Sequence, residues 1–145
     1  AIQKAIEGLK PYEHRLEPKP MYGAWLVDDA YNGNIEGIEA GLAYLAEIVP
    51  EGKKIYVTSG LVDQGDQTET VHAKIGQKIA LAKPNSVYLM QNSVTELIKK
   101  AMDEAGYSGD LKIIDEPLDF YNSIESIMAK GDVVLIQNDW PDSYN

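Results

Sequence analysis

The stretch LVDDAYNGN, residues 26–34, determines how this chain of 145 residues is expected to fold. Its apolar beginning is typical of a buried strand, which ends in two consecutive carboxylates. The Asn-Gly pair favours a turn, and an amphipathic run opens at Asn34. In an α/β unit of this kind, ligands bind at the carboxyl ends of strands, and helix N-termini attract anions. A solvated turn with Asn34 as helix N-cap explains the same residues equally well.

Apolar runs that suit strands alternate along the chain with amphipathic runs that suit helices. Five strands are predicted, at residues 24–29, 54–58, 85–90, 111–115 and 132–137. Helices are predicted between them, the first over residues 34–49 and the last over residues 118–130. The alternation favours an α/β fold, a Rossmann-like three-layer sandwich with a mostly parallel sheet of about six strands. The extended segment near Arg15 is the candidate for the sixth strand, at an edge of the sheet.

The pattern also predicts details of the helices and turns. In the first helix, apolar side chains at helical spacing form a stripe that is expected to face the core: Ile35, Ile38, Leu42, Leu45 and Val49. Ser93 and Glu96 have the spacing of a capping box at the start of a later helix. Pro18, Pro20 and Gly23 predict a hairpin-like turn before the first parallel strand.

Composition excludes several classes of function. The chain has no cysteine, which excludes disulfides, thiolate metal sites and a cysteine nucleophile. Its formal net charge of −10 argues against a nucleic-acid partner, because phosphate backbones repel such a surface. No apolar run reaches the length of about 20 residues that spans a bilayer, so membrane insertion is not expected. These features are compatible with a cytoplasmic location, which we expect.

The acidic stretch resembles a known signature. DDAYNGN, residues 28–34, is similar to the DDAYNANP motif of the Mur ligase C-terminal domain, and the MurF-like branch fits best. Gly33 replaces the usual Ala and Ile35 the usual Pro, and neither change removes a polar group. Residues 61–80 resemble a second family pattern, ELG…E…H…G…A, in which Asp63 keeps the charge of the family's Glu. Ser59 and Gly60 stand where the family has Gly-Asp, so one acid is missing there.

A third resemblance lies at the last predicted strand. Residues 131–136, GDVVLI, are similar to the family's GD-x-VL-V segment, but Gln137-Asn138-Asp139 departs from the Lys-Gly-Ser that follows it. In the family, residues just past this strand help to hold the incoming amino acid or dipeptide. The departure therefore leaves the identity of the acceptor substrate open.

The resemblance implies roles for individual residues. Arg15 belongs to a His-Arg motif whose arginine reaches the nucleotide, and a guanidinium suits that task because it donates two parallel hydrogen bonds. Asp29 is expected on the same nucleotide side, since a carboxylate can accept bonds from ribose hydroxyls. Seen alone, Arg15 is better explained as a surface partner of Glu13 or Glu17, and its place shortly before the Asp28-Asp29 pair favours the nucleotide role.

Further residues are expected in the substrate cleft. Those near the activated carboxyl group or the acceptor are Tyr31, Asn32, Asn34, Ser59, Asp63 and Asp139. His14, Asp28 and His72 are additional candidates. His72 lies on a predicted helix, where a hydrogen-bonded structural histidine is an alternative to a residue that shapes the loop around the second substrate. No metal site is expected, because no second ligand stands at suitable spacing on that helix.

The resemblance implies a function for the chain as a part of a larger enzyme. Residues 1–10 would be the end of a linker helix from a preceding central ATPase domain, and residues 11–145 the C-terminal domain. That domain would bind substrate and close an ATP-dependent ligase acting on UDP-N-acetylmuramoyl peptide in peptidoglycan precursor synthesis. ATP and magnesium would be bound mainly by the central domain. The chain has no phosphate-loop motif, so no catalytic residue is expected within it, and alone it is expected to be inactive.

Two alternatives come from other classes of function. The chain could be a non-catalytic interaction module that keeps the ligase fold, which the altered residues 137–139 and the altered loop after residue 58 favour. It could also be a receiver-like signalling domain, in which Asp28 and Asp29 bind magnesium. That fold requires a lysine after the last strand, where this chain has Gln137 and Asn138.

Overall fold

The computed structural model describes residues 17–29, 34–61 and 64–138. Within these residues six strands form one sheet: β1 (Glu17–Met21), β2 (Ala24–Asp28), β3 (Lys54–Gly60), β4 (Ser86–Met90), β5 (Asp110–Ile114) and β6 (Val133–Asn138). The α-helices between them are α1 (Ile35–Glu47), α2 (Thr68–Ala82), α3 (Thr95–Glu104) and α4 (Pro117–Asn122). Short 3₁₀ turns at Gly65–Gln67 and Ile124–Ile127 complete the described elements.

Strand β6 lies in the middle of the sheet, whose order is β1-β2-β6-β3-β4-β5. All neighbouring pairs are parallel except β1 with β2. Val134 of β6 is level with Leu26 on one side and with Ile55 on the other. The carboxyl ends of β2, β6 and β3 therefore meet at one edge of the sheet, which is where open α/β folds bind ligands.

Helices cover both faces of the sheet, as the sequence predicts. Helices α1, α2 and α3 pack on one face against side chains that include the fully buried Tyr56 and Leu135. On the opposite face, Phe120 of α4 and Ile124 pack over Val57 and its neighbours. A six-stranded, mostly parallel sheet with flanking helices confirms the predicted fold class.

The edge strand β1 lies just after the segment predicted for it. It begins at Glu17, whereas Arg15 lies outside the described residues. Pro18 and Pro20 belong to this strand rather than to a turn, which is tolerated because an edge strand needs fewer of its backbone donors. The predicted reversal is made by Tyr22 and Gly23, both at positive φ, between β1 and β2.

Three local predictions are wrong. Helix α1 ends at Glu47, so the extended Ile48 is buried and Val49 is 80% exposed, the reverse of the predicted stripe. The predicted last helix is two short pieces, α4 and the 3₁₀ turn at Ile124–Ile127, because Ser123 between them leaves the helical conformation, with φ −121° and ψ 28°.

The predicted capping box is the third error. Ser93 and Glu96 do not form it; Asn92 and Thr95 provide the bonds instead. The Asn92 carbonyl oxygen Oδ1 accepts from the backbone amide of Val94 at 2.9 Å, and the Thr95 hydroxyl accepts from the Asn92 amide at 2.8 Å. An Asn side chain is well suited to this turn before a helix, because its side-chain oxygen can accept from the backbone amide two residues further on.

Within the described ranges, the structure has no helix that is both long and apolar enough to cross a membrane.

Candidate functional site

The carboxyl end of β2 leads directly into a buried carboxylate. The backbone amide of Asp29 donates to the carbonyl oxygen of Ile136 at 2.8 Å, which continues the pairing of β2 with β6. The side chain of Asp29 is 1% exposed, whereas Asp28 is half-buried. Oδ2 of Asp29 accepts a hydrogen bond of 2.7 Å from Nε2 of Gln137, the residue near the end of β6. The two strands therefore present their polar ends to each other.

Gln137 connects Asp29 to two further elements, and we refer to Asp29, Gly37, Gly41, Tyr56 and Gln137 as the Gln137 cluster. The Tyr56 hydroxyl of β3 donates to Oε1 of Gln137 at 2.9 Å. Nε2 also donates to the carbonyl oxygen of Gly37 in α1 at 3.2 Å. Because Nε2 faces two groups that only accept, the orientation of the carboxamide is fixed.

Tyr56 remains a hydrogen-bond donor within this cluster. Burial raises the pKa of its hydroxyl far above the ordinary value, a bond with Thr58 opposes this, and the nearby charge of Asp29 adds to the rise. The hydroxyl is therefore protonated throughout the physiological pH range. Thr58 also ties β3 to β6 through a 2.5 Å bond from its hydroxyl to the carbonyl oxygen of Gln137.

Helix α1 approaches the cluster closely because two of its residues are glycines. A Cβ atom on Gly41 would overlap Nε2 of Gln137. Gly37 is buried and uses both of its backbone groups: its amide donates to Oδ1 of Asn34 at 2.8 Å, and its carbonyl accepts from Gln137. Asn34 is thus the N-cap of α1, as its position in the sequence predicts.

The loop after β3 is held by a buried histidine. Nε2 of His72 accepts from the backbone amide of Leu61 at 3.0 Å, and Nδ1 lies 2.7 Å from the carbonyl oxygen of Thr68. Since a carbonyl only accepts and an amide only donates, the ring is neutral with its proton on Nδ1. His72 is fully buried and bonds to backbone on both sides, so it fixes the path of the loop.

Asn92 holds the same loop from the other side. Its Nδ2 donates to the carbonyl oxygen of Ser59 at 2.7 Å. Gly60 has φ +78°, and a Cβ atom there would come within 2.9 Å of the His72 ring. The Ser-Gly pair that departs from the family motif is therefore enclosed by His72 and Asn92, and Ser59 is 6% exposed.

The structure brings several predicted site residues to one edge of the sheet. Asp28, Asp29, Asn34, Ser59 and His72 follow or flank the carboxyl ends of β2 and β3. In this conformation Asp29 is bonded to Gln137, so contact with a ribose would require neighbouring residues to move. Its nucleotide role stays a prediction. The other predicted residues, which lie outside the described part of the chain, are His14, Arg15, Tyr31, Asn32, Asp63 and Asp139.

No group of three or more His, Asp or Glu side chains in the described part of the chain is placed to bind a metal ion. Of the two adjacent carboxylates Asp28 and Asp29, Asp29 accepts a hydrogen bond from the Gln137 side chain. The arrangement is suited to positioning polar groups at a sheet edge.

Sequence reasoning missed Tyr56, Gly37 and Gly41, and it treated Gln137 only as a departure from a motif. Two signals point to them. Gly37 and Gly41 are four residues apart, so they share one helix face and allow close approach to the sheet. A glutamine that ends the apolar run VVLI is expected to be buried and therefore to require hydrogen-bond partners.

Comparison with known proteins identifies the family. The family model "Mur ligase, glutamate ligase domain" matches residues 14–137. This chain belongs to the Mur ligase family. Within it the chain is MurF-like, as the signature at residues 28–34 predicts.

Individual relatives agree with this assignment. The UDP-N-acetylmuramoyl-tripeptide–D-alanyl-D-alanine ligase of Bacillus subtilis (strain 168) is 26% identical over 136 residues, which cover 92% of this chain and 29% of that protein. The Escherichia coli (strain K12) ligase of the same name is 30% identical over 78 residues, which cover 53% of this chain and 17% of that protein. The chain thus spans less than a third of the length of these Mur ligases.

Solved structures have the same fold. The MurF ligase of Thermotoga maritima, crystallised with ADP, superposes with a TM-score of 0.67 at 23% identity. The superposition covers 90% of this chain and 28% of that chain. A MurF structure from Acinetobacter baumannii has the same TM-score at 17% identity, covering 86% of this chain and 27% of its own. At these identities the likeness concerns the fold alone.

Proposed function

We propose that this chain is the substrate-binding and closing domain of an ATP-dependent ligase that forms an amide bond on a UDP-N-acetylmuramoyl peptide during peptidoglycan precursor synthesis. The observation that carries the proposal is the family match over residues 14–137, together with 26% identity to a ligase of this activity over nearly the whole chain. The substrates would be nucleotide-linked and the reaction ATP-dependent, so we place the enzyme in the cytoplasm.

We assign the predicted residues to two sides of a cleft. Arg15 and Asp29 act on the nucleotide side. Tyr31, Asn32 and Asn34 are near the activated carboxyl group, with Ser59, Asp63 and Asp139 on the acceptor side. Residues 1–10 would link to the central ATPase domain and residues 11–145 would form the domain itself. The place of Asp29, Asn34 and Ser59 at one sheet edge supports a common cleft for these residues.

In such a reaction, the carboxylate of the muramoyl peptide is activated by transfer of the γ-phosphoryl group of ATP. The amine of the incoming amino acid or dipeptide then attacks the carbonyl carbon, phosphate leaves, and the amine loses a proton. The central domain would hold ATP and magnesium, while this domain closes over them. Closure aligns the reactants and keeps water from the activated carboxyl group. The isolated chain would therefore be inactive.

Phosphate release by the full-length protein that contains this chain tests the proposal. The assay contains ATP, magnesium, a UDP-muramoyl tripeptide and D-Ala-D-Ala. We expect phosphate release that requires both the tripeptide and the dipeptide. Release with another amine in place of D-Ala-D-Ala would keep the ligase function and change the acceptor. Absence of release with every acceptor would contradict the proposal.

A non-catalytic interaction module is the second candidate. The replacement of Lys-Gly-Ser by Gln137-Asn138-Asp139 favours it, because a group expected to face the acceptor is absent. An intact phosphate loop elsewhere in the full-length protein would argue against this candidate, and its loss would favour it.

A further inference from the structure

We propose that Gln137 is a positioning residue, which fixes the placement of Asp29 and of the first turn of α1 without touching substrate; this inference rests on the proposed ligase function. Gln137 occupies the position of the lysine in the family's Lys-Gly-Ser motif. Its side chain is fully buried, so it does not face the cleft. Its effect on the reaction must therefore pass through the groups that it binds.

Each polar atom of the Gln137 carboxamide has a partner on a different element. Oε1 accepts from Tyr56 of β3, and Nε2 donates both to Asp29 after β2 and to Gly37 of α1. Since the Asp29 carboxylate and the Gly37 carbonyl can only accept, Nε2 has to face them, and the Tyr56 hydroxyl donates to the Oε1 atom on the other side. A neutral side chain thus keeps a buried carboxylate in one orientation.

Gln137 also links Asp29 and Asn34, two described residues of the signature at residues 28–34. It binds Asp29 directly through Oδ2 at 2.7 Å. It reaches Asn34 through Gly37, whose carbonyl accepts from Gln137 and whose amide donates to the Asn34 side chain. One buried side chain, 108 residues away from Asp29 in sequence, thus connects the end of β2 to the start of α1.

Packing alone does not require a glutamine at this position. A methionine has a similar length and volume, and would fill the space beside Gly41 without donating to Asp29 or Gly37. A glutamate keeps the shape and the acceptor for Tyr56, but places a second carboxyl group against Asp29. Comparison of these two variants separates the hydrogen bonds of Gln137 from its bulk.

The first experiment measures kcat and KM for ATP in the full-length protein with Gln137→Met, using Gln91→Met as matched control. Gln91 follows β4 at the same sheet edge and is exposed. We expect kcat/KM to fall about 10- to 100-fold in Gln137→Met, since small displacements of positioned groups have effects of this order. Gln91→Met should stay within about twofold. A Gln137→Met enzyme within twofold of the parent would overturn the proposal.

A pH profile of Gln137→Glu provides a second readout that packing would not change. Among the described residues, the titratable groups bonded to residue 137 are Asp29 and Tyr56, and α1 meets its carboxamide through Gly37 and Gly41. Two adjacent carboxyl groups share a proton at low pH and repel each other once both ionise. Activity relative to the parent should therefore rise as the pH is lowered from 8 towards about 6. A ratio that is constant with pH contradicts the proposed contact with Asp29.

Amide hydrogen exchange tests the inference independently of ligase activity. Gln137→Met should accelerate exchange at Asp29, Gly37 and Ile38 of the full-length protein, while Gln91→Met should leave these amides unchanged. If the parent releases no phosphate but exchange responds in this way, the ligase proposal fails and the positioning of Asp29 stands. Unchanged exchange in Gln137→Met overturns the positioning role whatever the activity.

Discussion

Asp29 and Asp132 are two buried aspartates at opposite edges of the sheet, and they are held in different ways. Asp132 precedes β6 and is 3% exposed; its Oδ1 accepts from the backbone amide of Lys53 at 2.8 Å, and its Oδ2 accepts from that of Ala129 at 2.9 Å. Asp29 follows β2 and accepts from the side chain of Gln137. One carboxylate thus binds main chain, whereas the other binds a side chain that a mutation can change.

This difference separates stability from function. Backbone amides are present whatever residues surround Asp132, so that aspartate joins the same chain segments in any sequence that keeps it. The hydrogen bond that Gln137 donates to Asp29 depends on the identity of residue 137, which differs from the family motif. Each site also has a glycine that makes room, Gly52 beside Asp132 and Gly41 beside Gln137. At the amino ends of the strands the buried carboxylate of Asp132 binds backbone, and at their carboxyl ends Asp29, which we propose to act on the nucleotide side, binds a side chain that can be exchanged.

The largest expected effect on stability comes from Asp132→Ala. It removes the buried carboxylate that accepts from two backbone amides, those of Lys53 and Ala129, and we expect the free energy of unfolding to fall by about 3 to 4 kcal/mol. Urea denaturation of the 145-residue chain, followed by tryptophan fluorescence, measures it. Asp29→Ala is the matched variant: it should cost less stability and raise the KM for ATP of the full-length enzyme. An equal loss of stability in the two variants would break the comparison.

Alanine at the two glycines should have smaller and unequal effects. In Gly52→Ala the new methyl group overlaps Asp132 and lies 2.9 Å from the carbonyl carbon of Gly131, so we expect a loss of about 2 kcal/mol. In Gly41→Ala the overlap falls on the end of the Gln137 side chain, and the better helix propensity of alanine returns about 1 kcal/mol. Gly41→Ala should therefore lower kcat/KM more than stability. A Gly41→Ala variant that loses more stability in urea denaturation than kcat/KM in the kinetic assay would contradict this expectation.

Tyr56 and Tyr107 show the same difference between a side-chain partner and a main-chain partner, with smaller expected effects. The Tyr56 hydroxyl bonds to the Gln137 side chain, while the Tyr107 hydroxyl donates to the carbonyl oxygen of Pro84 at 2.8 Å. Tyr56→Phe and Tyr107→Phe should each cost about 1 kcal/mol of stability. Only Tyr56→Phe should alter the KM for ATP, because only it releases the Gln137 carboxamide. Equal kinetics in both variants would show that the orientation of the carboxamide does not matter.

The smallest effect concerns pH. Burial, followed by the nearby charge of Asp110, raises the pKa of Tyr107 from 10.0 to about 12. The unfolded chain loses this proton near pH 10 and the folded chain only near pH 12, so the contribution to stability is complete below pH 10 and is lost as the pH rises through 12. Tyr107→Phe should show a weaker decline of stability across that window than the parent. Tyr22→Phe, at an exposed hydroxyl, serves as control, and identical slopes in all three proteins would refute the assignment.

The sequence predicts the features that depend on neighbouring residues. The alternation of apolar runs predicts the strands, and the position of Asn34 predicts the N-cap of α1, because both follow from local spacing. Errors arise where two similar residues could each be the buried one, as with Ile48 and Val49 at the end of α1. The Gln137 cluster was not predicted because its members come from the residue after β2 and from α1, β3 and β6, which are far apart in sequence. A motif comparison reports a changed residue without its new partner.

The central position of β6 has a consequence for folding order. This strand is the last described one in the chain, yet it separates β1-β2 from β3-β4-β5. During synthesis the ribosome releases both halves of the sheet before the strand that joins them, so their inner edges stay unpaired until β6 emerges. Such edges are prone to pair wrongly with other chains. Asp132 and Gln137 arrive together at the two ends of that strand, so the same late step that closes the sheet also completes the site.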